Sequence, residues 1–407
     1  MWAFAGFLII SVIIFTVSKP YLGDSPDLSL QLSLRVGLNM LMSTNETFGP
    51  QKSYFKVKEV KLSCNSTHPR SEVCDIKGDV RIQGKSSNIV IASTEVFEDK
   101  DNDSWSIKPY ARKESRAAME QVSSISIKKA QNKEGLPDCS RNYSIPAIVF
   151  STGGFSGNYF HDFTDLLIPL YSTSIQFNGQ VIFLITDKHS IWINKYKQVL
   201  QKLSRYDQLI DFDKENEVLC FPRIVVGLKG SIKELAIDSS QSSYSIKGFR
   251  EFLRNTYSLK REFVNITQGK RPRLLIISRS KTRKLLNAGE LAGMAESLGF
   301  DAAIKETVMI IQIIPFGLGP MEWISRTDFE VPAKEMNLRY LGCRISPNES
   351  SLVHQYPYIH EVFKAPGAIS KKGWNHFSSI YLEKQDVQVD LSRFRKVLLN
   401  TLELLQS

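Results

Sequence analysis

Cysteine and histidine are scarce, with five and six among 407 residues. No C-x-x-C pair occurs, which argues against zinc ribbons and thioredoxin-like redox centres. The full G-x-G-x-x-G order of a dinucleotide fingerprint is also missing, because the nearest run is GGFSG at 153–157, so NAD binding is not supported. Gly-Lys-Ser at 84–86 lacks the upstream glycine of a phosphate loop, and no helix is expected after it. Internal repeats and long low-complexity tracts are absent. With 42% hydrophobic and 23% charged residues, the chain is neither fibrous nor wholly disordered.

Charge is absent before Lys19, and the apolar stretch WAFAGFLIISVIIFTVS is just long enough to cross a bilayer. No small-residue cleavage box follows it, which favours an uncleaved anchor over a signal peptide. Six sequons, at Asn45, Asn65, Asn102, Asn142, Asn265 and Asn348, spread over the remainder and predict a chain facing the secretory lumen. Cys64 and Cys74 enclose the polar loop CNSTHPRSEVC, the pattern of a local disulfide in an oxidising compartment. Cys139, Cys220 and Cys343 are then one too many for complete pairing. The net charge of +10 suits anionic partners, and lumenal placement leaves nucleotide-sugars and acidic polysaccharides rather than nucleic acid; an ordinary soluble surface accounts for most of the lysines.

The length predicts two domains. After an anchor (1–18) and a stem (19–55), DVRIQGKSSNIVIAS reads as a hairpin. Short apolar strands at 146–152, 180–186 and 223–228 alternate with helical stretches at 161–176 and 192–204, which argues a doubly wound parallel α/β sheet. A basic helix, 248–263, leads to a second set: strand RPRLLIISR, a helix ended by Gly299, and strand TVMIIQIIPFG. The lobes are placed at 56–262 and 263–385, with an amphipathic helix at 386–407 able to pack back across their boundary. Ligands of such sheets bind at the carboxyl ends of the strands.

STGGFSGNYFHDFTD occupies such an end. Gly153, Gly154 and Gly157 would let backbone approach a ligand, and Asn158 precedes a helix N-terminus. On that helix His161 and Asp165 share a face, with Asp162 beside them. The same residues also suit an ordinary helix start stabilised by the dipole. SRSKTR, after the strand of the second set, offers Ser278, Arg279 and Arg283 to a diphosphate, a solvated basic loop being the plain alternative. Asp-x-Asp triplets at Asp101–Asp103 and Asp211–Asp213 are weak metal candidates, and no metal site is predicted.

The blocks STGGFSGNYFHDFTDLLIPLY, CFPRIVVGLKGSIKELAID, RPRLLIISRSKTRKLLNAGEL and IIQIIPFG resemble, in that order, the plant branch of glycosyltransferase family 61. The resemblance runs from about Cys74 to the C-terminus. It implies a GT-B fold of two Rossmann-like lobes behind an N-terminal transmembrane anchor, as a single-pass type II Golgi membrane protein with both lobes in the lumen. It also implies an inverting transferase without cofactor or metal. YSIKGFREFLRNTYSL leans toward xylan-decorating members, which transfer xylose or arabinofuranose from UDP-xylose or UDP-arabinofuranose to xylan, and homologous glycosyltransferases are implied partners. On this footing Asp162 or Asp165 is the expected base, with His161 orienting it or sharing its proton. Arg279 and Arg283, with Ser278, would hold the departing diphosphate, and Gly153, Gly154, Gly157 and Asn158 would wall the cleft.

The sequence departs from the family pattern in one place. Where members carry a further strand and a His-Gly-Ala-Gly-Leu-Thr-Asn donor segment, only DAAIKET stands. The alternatives are an inactive Golgi scaffold or carbohydrate-binding paralogue, and a transferase adding xylose to N-glycans.

Overall fold

The computed structural model describes residues 61–92, 104–130, 135–238, 243–259, 271–280, 282–307, 329–338, 340–342 and 345–406. The expected anchor and stem, Asp101–Asp103, Asn45, Asn102, Asn265, Cys343 and the strand expected at TVMIIQIIPFG lie wholly or largely outside them. Among the described residues no helix is long and apolar enough to cross a membrane.

The architecture is mixed α/β around a large sheet. Its strands are β1 (Lys61–Asn65), β2 (Val73–Gln83), β3 (Asn88–Ala92), β4 (Ser104–Ile107), β5 (Ile125–Ala130), β6 (Arg141–Asn142), β7 (Ala147–Ser151), β8 (Ile182–Thr186), β9 (Leu209–Asp211) and β10 (Val218–Val226). They run in the order β4-β5-β3-β2-β10-β7-β8-β9, with β1 on β2 and β6 on β10. The hairpin forms as its alternation predicts, Val80 facing Ile91 and Ile82 facing Ile89. The sheet is only half parallel, however. β10, β7, β8 and β9 are parallel neighbours, whereas β2 runs antiparallel to β1, β3 and β10.

Burial on both faces explains the continuous apolar text of β7 and β8. Ile148, Phe150, Phe183 and Ile185 pack under helices, while Ala147, Val149, Ile182 and Leu184 fill the opposite core. That opposite core draws its fully buried residues from strands and connections, Ile76, Ile82, Ile91, Ile127 and Phe212 among them, with no α-helical residue.

The parallel strands follow a doubly wound path. β7 leads outward through β8 to β9, and the chain then returns to β10 on the other side of β7. The strand order thus reverses between β7 and β10, where open α/β sheets bind ligands beyond the carboxyl ends. Helices α1 (Arg116–Met119), α2 (Tyr159–His161), α3 (Ile168–Ser174), α4 (Ser190–Lys195), α5 (Lys197–Leu203) and α6 (Ile246–Thr256) accompany this sheet. Helix α6 starts at the Ser245 cap and stops short of the expected 263.

A second sheet pairs β11 (Arg273–Arg279) in parallel with β12 (Asp301–Thr307), joined by α7 (Ala288–Ser297). DAAIKET is itself this second strand. Helix α7 ends before Gly299, whose φ of 101° favours glycine. The C-terminal helix Leu391–Gln406 contributes Phe394, Leu398 and Leu405 to the core of this second sheet. Phe329 and Met336, by contrast, join the core of the first.

Two disulfides form: Cys64–Cys74 across β1 and β2, as expected, and Cys139–Cys220. The second closes a span of 81 residues, so replacing both of its cysteines by alanine should cost about 4 kcal/mol of stability, in the entropic account of cross-links. A urea titration reads this as a lower midpoint.

Candidate functional site

The turn after β7 is shaped by its own protein neighbours. A Cβ on Gly153 would lie 2.2 Å from the Gln121 carbonyl oxygen, and one on Gly154 would lie 2.6 Å from the Tyr110 ring, with φ already at 58°. At both positions the close approach of protein neighbours by itself requires glycine. Gly157, at φ 96°, donates its N–H to Asp162 Oδ1 at 2.8 Å. Asn158 caps the helix, its Oδ1 accepting the Phe160 N–H at 3.0 Å.

Between α2 and α3 the helix widens into a π turn, Asp162–Leu167. Such turns occur often at functional sites. The turn carries Asp162 and Asp165 to separate surroundings, both fully buried. Asp162 Oδ2 accepts Lys195 Nζ at 2.7 Å and Tyr196 Oη at 2.8 Å. Burial first, and then Asp162, push the Tyr196 hydroxyl far up, so it remains a donor.

Asp165 is clamped more tightly still. Arg112 Nε reaches its two oxygens at 2.9 and 2.8 Å, Arg70 Nη2 lies at 3.0 Å and Tyr110 Oη at 3.2 Å. Both arginines also pair with Glu234, which follows β10, each at 2.8 Å. Burial alone would lower the Arg112 pKa, but Asp165 and Glu234 outweigh it and raise it. Tyr110 is pushed up by burial and then by Asp165, which keeps its proton in place.

His161 Nδ1 lies 2.9 Å from Asp165 Oδ2. A carboxylate only accepts, so Nδ1 is the donor of this contact. The His161 side chain is 20% exposed, Asp165 not at all. The trio expected from the sequence is thus brought together, with His161 against Asp165 and Asp162 held apart by Lys195 and Tyr196. With both carboxylates enclosed and fully hydrogen-bonded, the imidazole is the member of the trio open to an incoming hydroxyl.

Asp213, expected in a loop triplet, accepts Thr186 Oγ1 at 2.6 Å and the Asp187 N–H at 2.7 Å, so both its oxygens brace the end of β8. The one carboxylate–cysteine cluster of metal-binding proximity among the described residues, Asp79 with Cys139 and Cys220, has its sulfurs joined in a disulfide and offers no thiolate. Asn65, Asn142 and Asn348 are exposed.

At the end of β11 Ser278 is buried, and Arg279 and Arg283 are partly enclosed. Arg283 sits at φ 55°, a backbone strain for a non-glycine residue, with a buried Nε lacking a hydrogen-bond partner among the described residues. Burial, and then Arg279, pull its pKa down to about 9; burial also lowers that of Arg279. No acidic side chain pairs with either guanidinium among the described residues. Two partly desolvated cations side by side make a receptor for a multiply charged anion.

Sequence reasoning missed Arg70, Tyr110, Arg112 and Glu234. The signal for Arg70 was its place inside the CNSTHPRSEVC loop, and that for Glu234 its place in the block CFPRIVVGLKGSIKELAID; Tyr110 and Arg112 carry no local motif.

Two outcomes separate structural from chemical roles. Asp165→Ala leaves two buried guanidiniums short of a partner and should cost about 3–5 kcal/mol, whereas His161→Ala should change stability by less than about 1 kcal/mol, read by thermal or urea unfolding. Arg283→Met should stabilise the unliganded protein by about 1–2 kcal/mol and abolish any rise in melting temperature caused by pyrophosphate.

Comparison with protein-family models finds no match. Curated relatives do match. The chain is 38% identical over 385 residues to the alpha-1,3-arabinosyltransferase XAT2 of Oryza sativa subsp. japonica, with 84% of this chain and 64% of the relative covered. It thus spans slightly less than two thirds of that relative's length. To the rice beta-1,2-xylosyltransferase XYXT1 it is 33% identical, covering 86% of each chain. To the xylan glycosyltransferase MUCI21 of Arabidopsis thaliana it is 34% identical, covering 84% of this chain and 79% of the other. On this evidence the chain belongs to the plant family of xylan arabinosyl- and xylosyltransferases, glycosyltransferase family 61.

Proposed function

We propose that this chain is a Golgi inverting pentosyltransferase, facing the lumen from a single-pass anchor and transferring xylose or arabinofuranose from a UDP-sugar to xylan. The observation that carries this reading is the clamped His161–Asp165 pair beside the strand-order reversal. Inversion by single displacement needs a group that takes the acceptor proton as the new bond forms. His161 Nε2 would take the proton from the xylan hydroxyl as its oxygen attacks the anomeric carbon and UDP departs. Asp165 holds the ring and stabilises the imidazolium that results, and Arg279 and Arg283 would bind the leaving diphosphate, where charge develops. The chemistry so described calls on neither a cofactor nor a metal.

The finer GT-B architecture belongs to the same proposal. It is supported by the doubly wound half of the first sheet and by the β11–α7–β12 unit of the second.

A second reading rests on one observation. DAAIKET forms β12 where the family resemblance calls for a further strand and a glycine-rich donor loop. Loss of donor contacts would slow transfer at least about 100-fold relative to relatives that keep the segment. At the limit the chain is a scaffold that associates with active homologues.

Purified lumenal protein, UDP-xylose or UDP-arabinofuranose, and xylan oligomers test both readings. Slow transfer with inversion is the expected result. His161→Ala should abolish that transfer and leave the melting-temperature rise with UDP intact, whereas Arg279→Ala with Arg283→Ala should remove both. Absence of UDP binding and of transfer in the unaltered chain would leave the scaffold reading; transfer to N-glycans in place of xylan would reassign the acceptor.

A further inference from the structure

We propose that an N-linked glycan on Asn348 lies over Tyr358 and Ile359, its innermost N-acetylglucosamine covering an apolar patch that the polypeptide leaves open. The local structure directs Asn348 outward. It sits in a single tight turn, Pro347–Glu349, and is exposed, while both residues after it are buried. Glu349 accepts Arg393 Nη2 and the backbone N–H groups of Ser346 and Asp390. Ser350 Oγ takes hydrogen bonds from Gln385 Nε2 and the Leu352 N–H. The asparagine of this sequon is thereby presented on a rigid base.

The Tyr358 hydroxyl donates to Asn348 Oδ1. Nδ2, the atom that carries the sugar, has no hydrogen-bond partner among the described residues. Tyr358 is 53% exposed and Ile359 84%, the highest exposure of any large apolar side chain described. The Tyr358 ring is supported on one side by Phe363, with centroids 6.1 Å apart and planes inclined by 33°. Ring and asparagine are therefore adjacent, and an apolar surface stands beside the point where a saccharide would be attached.

A pyranose presents C–H groups on one face and hydroxyls at its rim. Laid on the tyrosine it would remove apolar surface from water while its polar groups stayed solvated. Such an occupant suits a patch whose single hydrogen bond already fixes the linking amide. Glycosylation requires the secretory lumen, and the two disulfides fit an oxidising compartment of that kind. The inference needs lumenal placement but does not depend on the transferase reading.

The test uses the full chain purified from the membranes of a glycosylating host, in three forms: glycan intact, glycan trimmed enzymatically to one N-acetylglucosamine, and glycan stripped completely. Hydroxyl-radical labelling read by mass spectrometry reports side-chain exposure residue by residue. Tyr358 and Ile359 should label several-fold less in the intact and trimmed forms than in the stripped form. Trp374, 64% exposed, should label equally in all three. Equal labelling of Tyr358 in every form, an unmodified Asn348 in the purified protein, or a parallel rise at Trp374 on stripping would each overturn the proposal.

Discussion

One buried carboxylate organises the mouth of the first sheet. Asp165 ties together four segments distant in sequence: the disulfide loop through Arg70, the connection after β4 through Tyr110 and Arg112, the π turn on which it sits, and, through both arginines, Glu234 beyond β10. Ion pairs this enclosed add little net stability, since desolvation opposes attraction, but removing one member leaves charge without a partner. The cluster is therefore better understood as a device for position than as a source of stability. What it positions is the imidazole of His161, held at Nδ1 by Asp165 Oδ2.

The π turn supplies the geometry that an ordinary helix would not. Residues three apart on an α-helix share a face, so Asp162 and Asp165 would crowd together as like charges. In the wider turn one meets Lys195 and Tyr196 and the other meets the arginines. Each carboxylate gains its own donors, and mutual repulsion is avoided. The second sheet follows the opposite pattern, because Arg279 and Arg283 lie together with no carboxylate paired to either in the described structure. Around the first sheet each of these carboxylates meets cations, whereas the two arginines at the end of β11 have no acidic partner among the described residues.

Local text carried much of this. Strands β7, β8 and β11, the hairpin and α7 follow from apolar runs and turn residues, because burial on both faces or on alternate faces leaves a direct mark on sequence. The proximity of His161 and Asp165 was legible from their spacing. Their relative burial was not, since it depends on arginines 53 and 95 positions away in the chain. The packing of the glycines was hidden for a related reason: Gly153 and Gly154 lie against Gln121 and Tyr110, neighbours that no motif announces. The antiparallel half of the large sheet was also hidden, as β2 pairs with β10 across more than a hundred residues.

Arg70 reaches Asp165 from within the loop that the Cys64–Cys74 bond closes. Its guanidinium is held in register by a covalent link outside the polar cluster itself. Oxidation of the two thiols would thus fix the electrostatic setting of the imidazole, and a still reduced chain would hold the same residues without the tether that fixes one of the two cations.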